Sequence, residues 1–355
     1  LNFVEVGEPW MTVNIPAGVN LYGAPTERTS GLPIPERGMN PNDQVIEWKT
    51  VLVMPYDVPG PSDNPAIWFK INGDSDPNKP SLFSDLKLVG YRYFDPSSET
   101  VHEAFKVEQV VNLHVDHCYF RDTTCAGVEM GGGAFSPCCA VIDHCKFVNT
   151  RVHVEGYIYN CDVHYGVCSS VHGHEMWWED NIDNVIGQYN NYTVFIEDCY
   201  FSKWRHCVTS NDGVHYVFRY NTIEDDVGYG SLDAHGTYNY VGTRAIEIYN
   251  NKLLNPEETG NKAAIWIRGG GGVIFNNTVE GYASFASLTR EGDVEKCWPH
   301  DLWVWDNSLP EGVNPVNARE GDNGAAEEGV DYFLHAKPDY TPYPYPHPLT
   351  LEATP

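Results

Sequence analysis

The chain is short of positive charge. Its 355 residues hold 22 Lys and Arg against 49 Asp and Glu, a formal net charge of −27. A surface of that sign repels phosphate backbones and anionic bilayers, so nucleic acid is a poor partner and so is an anionic membrane. No apolar run reaches eighteen residues, so no helix is expected to insert into a membrane. No GK[ST] string follows a glycine-rich turn, which removes a phosphate loop, and no organic cofactor is expected. The ten cysteines include no CxxC pair, the commonest zinc or redox spacing. Long amphipathic helical patterns are missing as well.

What the chain does have is one string repeated seven times: VDHCYF at 115–120, IDHCKF at 142–147, IEDCYF at 196–201, FRYNTI at 218–223, IYNNKL at 248–253, FNNTV at 275–279 and VWDNSL at 304–309. Aligned, one column holds Cys118, Cys145, Cys199, Asn221, Asn251, Asn277 and Asn307. These positions are 27, 54, 22, 30, 26 and 30 residues apart, with 54 read as two turns of 27. A unit of this period is too short for two helices. With Val, Ile, Phe and Tyr alternating at period two, it is a coil of strands. The expected fold is all-β: a single-stranded right-handed parallel β-helix, a solenoid with an Asn/Cys ladder at one turn. Residues 1–310 form the β-helix domain, with irregular N-terminal coils over 1–106 and regular coils over 107–310. Residues 311–355 form an extended Pro/Tyr-rich segment lying along the solenoid or over its end, because proline every second or third residue excludes helix and central strand. The ladder cysteines are expected as buried free thiols, while the pairing of Cys161, Cys168 and Cys297 stays open. Residues 168–192 break the register as a long loop.

Two constellations could carry chemistry. On strands that enter the ladder turn, alternate residues face outward: Asp116, Asp143, Glu197, Arg219, Tyr249, Phe275 and Trp305 in one column, and His114, Val141, Phe195, Val217, Glu247, Val273 and Trp303 in the next. Asp143, Glu197 and Glu247 are candidate Ca²⁺ ligands, since Ca²⁺ takes several oxygen donors. Tyr249, Trp303 and Trp305, with Trp177 and Trp178 of the long loop, are candidate sugar-stacking residues; a sheet face covered by the Pro/Tyr tail is the alternative. The second constellation gathers His206, Asp212, His215, Asp233, His235 and Arg268 on three coils, with Arg219 beside them. His235 and Arg268 are expected to meet because each precedes a glycine. Histidine is suited to proton transfer near neutral pH, and arginine to a substrate carboxylate. In the HGHE string, His172 and His174 with Glu175 or Glu179 are candidate transition-metal ligands; the alternative is a loop bordering the groove, with Trp177 and Trp178 covering the substrate.

The opening IPAGVNLYGA resembles the first coil of secreted pectin-lyase-like β-helix proteins, and VDHC and IDHC resemble a strand of pectate lyases. The blocks NDGVHYVFRYNTIEDD, LDAHG, GTRAIEIYNN and WIRGGGGVIFNNTVEG are similar to bacterial β-helix proteins grouped with polysaccharide lyases. The chain lacks the RxPxxR string that carries the catalytic arginine of typical pectate lyases. The resemblance implies an extracellular or cell-surface enzyme that cleaves a polysaccharide, uronate-containing, by β-elimination; Ca²⁺ is the metal that the carboxylates suggest. The alternatives are a non-catalytic filament-forming or adhesive β-helix that self-associates, and a glycoside hydrolase using a carboxylate pair such as Asp212 and Asp233.

Overall fold

Short runs of alternating apolar and polar residues make strands that cannot bury their apolar face alone, so each must stack on another. The computed structural model shows how. It describes residues 13–16, 18–24, 48–53, 66–72, 81–89, 102–108, 113–121, 126–130, 140–148, 167–170, 186–187, 189, 193–202, 206–211, 215–224, 230–236, 242–256, 263–293 and 295–351. Their strands form three sheets, and every recorded strand pairing is parallel. The first sheet has ten strands from Val13–Pro16 to Val316–Ala318. The second has ten from Leu21–Tyr22 to Tyr332–Phe333. The third has eight from Thr50–Val53 to Thr278–Glu280. Successive strands enter successive sheets: Val208–Asn211, His215–Arg219 and Thr222–Glu224 make one coil, and Leu232–Ala234 starts the next. The protein is a parallel β-helix. Among the described residues no helix is long and apolar enough to cross a membrane.

One spacing is corrected. Ala140–Asp143 pairs directly with Thr193–Glu197, placing Asp143 opposite Glu197. The 54-residue separation is therefore a single coil with long connections on both sides of Val167–Ser170, not two turns of 27. Two sheets also continue past residue 310, through Val316–Ala318 and Tyr332–Phe333.

The interior is apolar along its length. Phe120, Phe147 and Phe201 stack with centroids 4.8 Å apart, the separation of adjacent strands. The ladder beside them does hydrogen-bonding work. Asn251 Oδ1 accepts from Asn221 N at 2.9 Å, and Asn251 Nδ2 donates to the Phe218 carbonyl at 2.8 Å. Asn277 and Asn307 repeat the arrangement. The cysteines repeat it more weakly: Cys145 and Cys199 thiols reach the carbonyls of Val115 and Ile142 at 3.5 Å, and Cys145 Sγ accepts from Cys118 N at 3.4 Å. Cys118, Cys145, Cys199, Cys207 and Cys297 are free and buried, and burial raises the ladder thiols above the usual range. The residue before each ladder position is left-handed: His117, His144, Asp198, Tyr220, Asn250, Asn276 and Asp306, like Asp85 at the same turn of the preceding coil, have φ between 48° and 58°. Asn, Asp and His tolerate that region best among residues with a side chain.

Replacing Asn251 with Ala orphans the Asn221 N–H and the Phe218 carbonyl in the interior. The expected loss is about 1–3 kcal/mol per group left unpaired, read by urea unfolding. A change near zero would mean the ladder is not holding the stack.

Candidate functional site

The outward face of the second sheet is closed. Cross-strand register confirms both outward columns, from Asp116 to Trp305 and from His114 to Trp303. The C-terminal segment lies on them. Tyr340, Tyr343 and Leu349 pack with Tyr189 on a second apolar cluster of Val141, Phe195, Val217, Val273 and Phe275. Tyr249 is 1 % exposed and stacks on Phe275, Trp303 stacks on Phe333, and Trp305 stacks on Phe275 with Tyr340 edge-on. These aromatics form a covered sheet face rather than an open sugar platform, because the tail occupies the surface a sugar would need.

The charged residues on this face are spent under that cover. Arg219, 0 % exposed, gives Nε and Nη2 to Glu197 at 2.8 and 2.6 Å and Nη1 to Tyr249 Oη at 3.0 Å. It also donates to the Tyr343 and Pro344 carbonyls at 2.6 and 3.0 Å. The second oxygen of Glu197 accepts from His347 N at 2.8 Å. Glu247 accepts from Gly187 N, Tyr189 Oη and Tyr340 Oη, and its Oε1 is 3.0 Å from His215 Nε2. Asp143 is held by His114 and His144. Glu197, Glu247 and Asp143 therefore do not form the expected calcium set: their oxygens are occupied, and Arg219 stands between the two glutamates. His215 and Arg219 belong to this face and are not grouped with His235.

The first sheet carries the open cluster. Asp233, at 0 % exposure, lies in the strand Leu232–Ala234, and Arg268 follows the paired strand Ala263–Ile267. Arg268 Nε donates to Asp233 Oδ1 at 3.0 Å and Nη2 to Asp233 Oδ2 at 2.5 Å, while Nη1 reaches Glu291 Oε1 at 2.5 Å. His235 Nε2 is 2.8 Å from Asp233 Oδ2 and also contacts Arg268 Nη2, and its Nδ1 is 3.9 Å from Glu291 Oε2. Burial alone would raise the Asp233 carboxyl, but Arg268, His235 and His206 hold it well below the usual range. The His235 side chain is 23 % exposed and that of Glu291 is 18 %. Glycines make the meeting possible. A Cβ on Gly236 would lie 2.6 Å from the Arg268 carbonyl, and one on Gly269 would lie 2.5 Å from that of Cys297. The sequence expectation that His235 meets Arg268 matches this arrangement. His206 donates to the Gly230 carbonyl at 2.7 Å, and its charge helps to lower the Asp233 carboxyl.

Three contributors were not legible beforehand. Glu291 closes the cluster. Trp266 lies under the Arg268 guanidinium at 5.1 Å, and Arg319 sits 5.9 Å from the same ring. Register puts Ala234, Ile267, Leu288 and Ala318 in one row, so His235, Arg268, Thr289 and Arg319 all stand one residue past the sheet. That shared offset was the available signal. Asp212, Trp177, Trp178, His172 and His174 lie outside the described residues. No protein-family model matches the chain, and no curated protein matches it.

Two outcomes follow for the closed face. Arg219→Met leaves Glu197 buried without its cation and should cost about 3–5 kcal/mol. The Glu197→Gln/Arg219→Met double variant should recover much of it in a double-mutant cycle, and strict additivity would contradict the pairing. His347 is held down to about 4 by burial and by the charge of Arg219. Between that value and the ordinary histidine value of about 6.5 the unfolded chain binds a proton that the folded chain does not, so stability falls as pH falls through this window. Thermal melts of His347→Asn should diverge from wild type there. A constant difference would contradict it.

Proposed function

We propose that this β-helix is a carbohydrate-active enzyme, similar to the pectin-lyase-like proteins, that acts outside the cell and cleaves a uronate-containing polysaccharide by β-elimination. One observation carries the reading. A partly exposed imidazole, His235, is positioned by a fully buried carboxylate, Asp233, that Arg268 keeps ionised. That is the construction of a proton-transfer group with a fixed orientation. His235 takes the proton alpha to the uronate carboxyl, the electron pair left behind forms the new C=C bond as the glycosidic C–O bond breaks, and the departing oxygen is protonated from water; Asp233 holds the ring.

Arg268 is a positioning residue, because its charge is already shared between Asp233 and Glu291. The cation offered to substrate is Arg319, exposed and without an ion pair among the described residues. The row from His235 to Arg319 follows the solenoid axis, as a bound polymer would. Hydrolysis is the second reading, favoured by Glu291 standing beside His235 with a second carboxylate behind it.

Incubation with a panel of uronate polysaccharides, with Ca²⁺ and then EGTA, separates these readings. Ultraviolet absorbance from an unsaturated uronate end means elimination, and new reducing ends without it mean hydrolysis. His235→Ala should lower kcat by about 10²–10⁴-fold with the fold kept, and Arg319→Ala should raise KM. Full activity in His235→Ala would overturn the site, and no cleavage of any polymer would overturn the reading.

A further inference from the structure

Away from the first-sheet cluster, the second sheet carries five ligand-capable side chains on two neighbouring coils. Leu113–Asp116 pairs with Ala140–Asp143, and the two turns that follow place His117 and His144 side by side. Their imidazoles stack at 4.9 Å and 3° from parallel. Both residues occupy the left-handed turn position at φ 48°, so the backbone aims the two rings alike. One donor atom each from Asp116, His117 and His144 lies within 4.8 Å of the others. The same holds for His114, Asp116 and Asp143.

We infer that this cluster is a binding site for a borderline divalent transition ion of the zinc class, with Asp116, His117 and His144 as the ligands. Imidazole and a single carboxylate suit Zn²⁺ and its neighbours, whereas Ca²⁺ requires a cage of oxygens that the described residues of these coils do not offer. The surroundings are those of a metal site. Asp143 Oδ2 is 2.6 Å from His144 Nδ1, and Asp143 Oδ1 is 2.5 Å from His114 Nε2. A carboxylate on one ring nitrogen fixes the tautomer and leaves the other nitrogen for an ion. Ser84 Oγ donates to Asp116 Oδ2 at 3.3 Å and orients that ligand.

His117 Nδ1 meets Asp116 Oδ1, and the proton shared by these two ligands is what an ion displaces, while the Asp143 contacts to His144 and His114 stay in place. The rings are neither sealed nor open: the side chains of His117 and His144 are 13 % and 16 % exposed, so an ion can enter from solvent. Other coils place Asp85, Asn250 or Asn276 at this turn position, which needs only a residue that accepts φ > 0. Adjacent histidines there are more than the turn demands.

The test uses the full chain stripped by chelator and dialysed. Zn²⁺ is titrated against a chromophoric competitor, with Co²⁺ as a spectroscopic stand-in. Binding of one equivalent is expected, with a raised melting temperature and a visible Co²⁺ spectrum of low coordination number. Millimolar Ca²⁺ should not compete. His117→Asn and His144→Asn are the informative variants, because asparagine already fills this turn in other coils and the fold should persist. Each should weaken binding by about 10-fold or more, the scale on which altering a site's inner or outer shell is felt. His300→Asn, on another part of the surface, should leave binding unchanged. Unaltered affinity in both turn variants would overturn the site, as would binding lost only in His172→Ala/His174→Ala, or no bound Zn²⁺ at all.

Discussion

Every coil of this molecule depends on satisfying the backbone at one turn. A parallel stack leaves no room for water between coils, so the amides and carbonyls at each bend need a partner within the protein. The Asn/Cys column supplies it: Asn251 links the Asn221 amide below to Asn277 above and caps the Phe218 carbonyl. Three phenylalanines stack beside it at strand spacing. Because the ladder fixes coil height, it also fixes which outward side chains become neighbours, and so it sets both the closed and the open surfaces.

The two outward surfaces have opposite fates for a physical reason. On the second sheet, the columns hold charges deep under a tail, each matched to a partner: Arg219 with Glu197 and Glu247 with His215 and two tyrosines. Buried charges of this kind persist only when fully paired, so that face is a seam. At the edge of the first sheet, the pairing is incomplete by design. Asp233 is buried, ionised and paired with Arg268, while His235, Glu291 and Arg319 keep part of their surface in water. A rigid inner group behind exposed ones is the arrangement that proton transfer needs.

Much of this was written in the sequence. The ladder and the outward columns followed from periodicity alone, since side-chain direction along a strand has a period of two. The meeting of His235 with Arg268 followed from their shared offset before glycine. What stayed hidden depended on distant chain. No local pattern says that Tyr340 reaches Glu247 or that the Pro344 carbonyl accepts a hydrogen bond from Arg219. The 54-residue gap misled because one coil with long connections has the length of two ordinary ones. Glu291 was missed because its role depends on the coil below, not on its neighbours in sequence.

The central claim is that the first-sheet edge is the working surface and the tail-covered face is structural. Hydrogen–deuterium exchange with and without uronate oligomers tests this directly. The account predicts slowed exchange confined to residues 232–236, 266–269, 289–292 and 318–320, with the tail from 340 to 347 unchanged. Slowed exchange in the tail and second sheet, with none at His235, would contradict it.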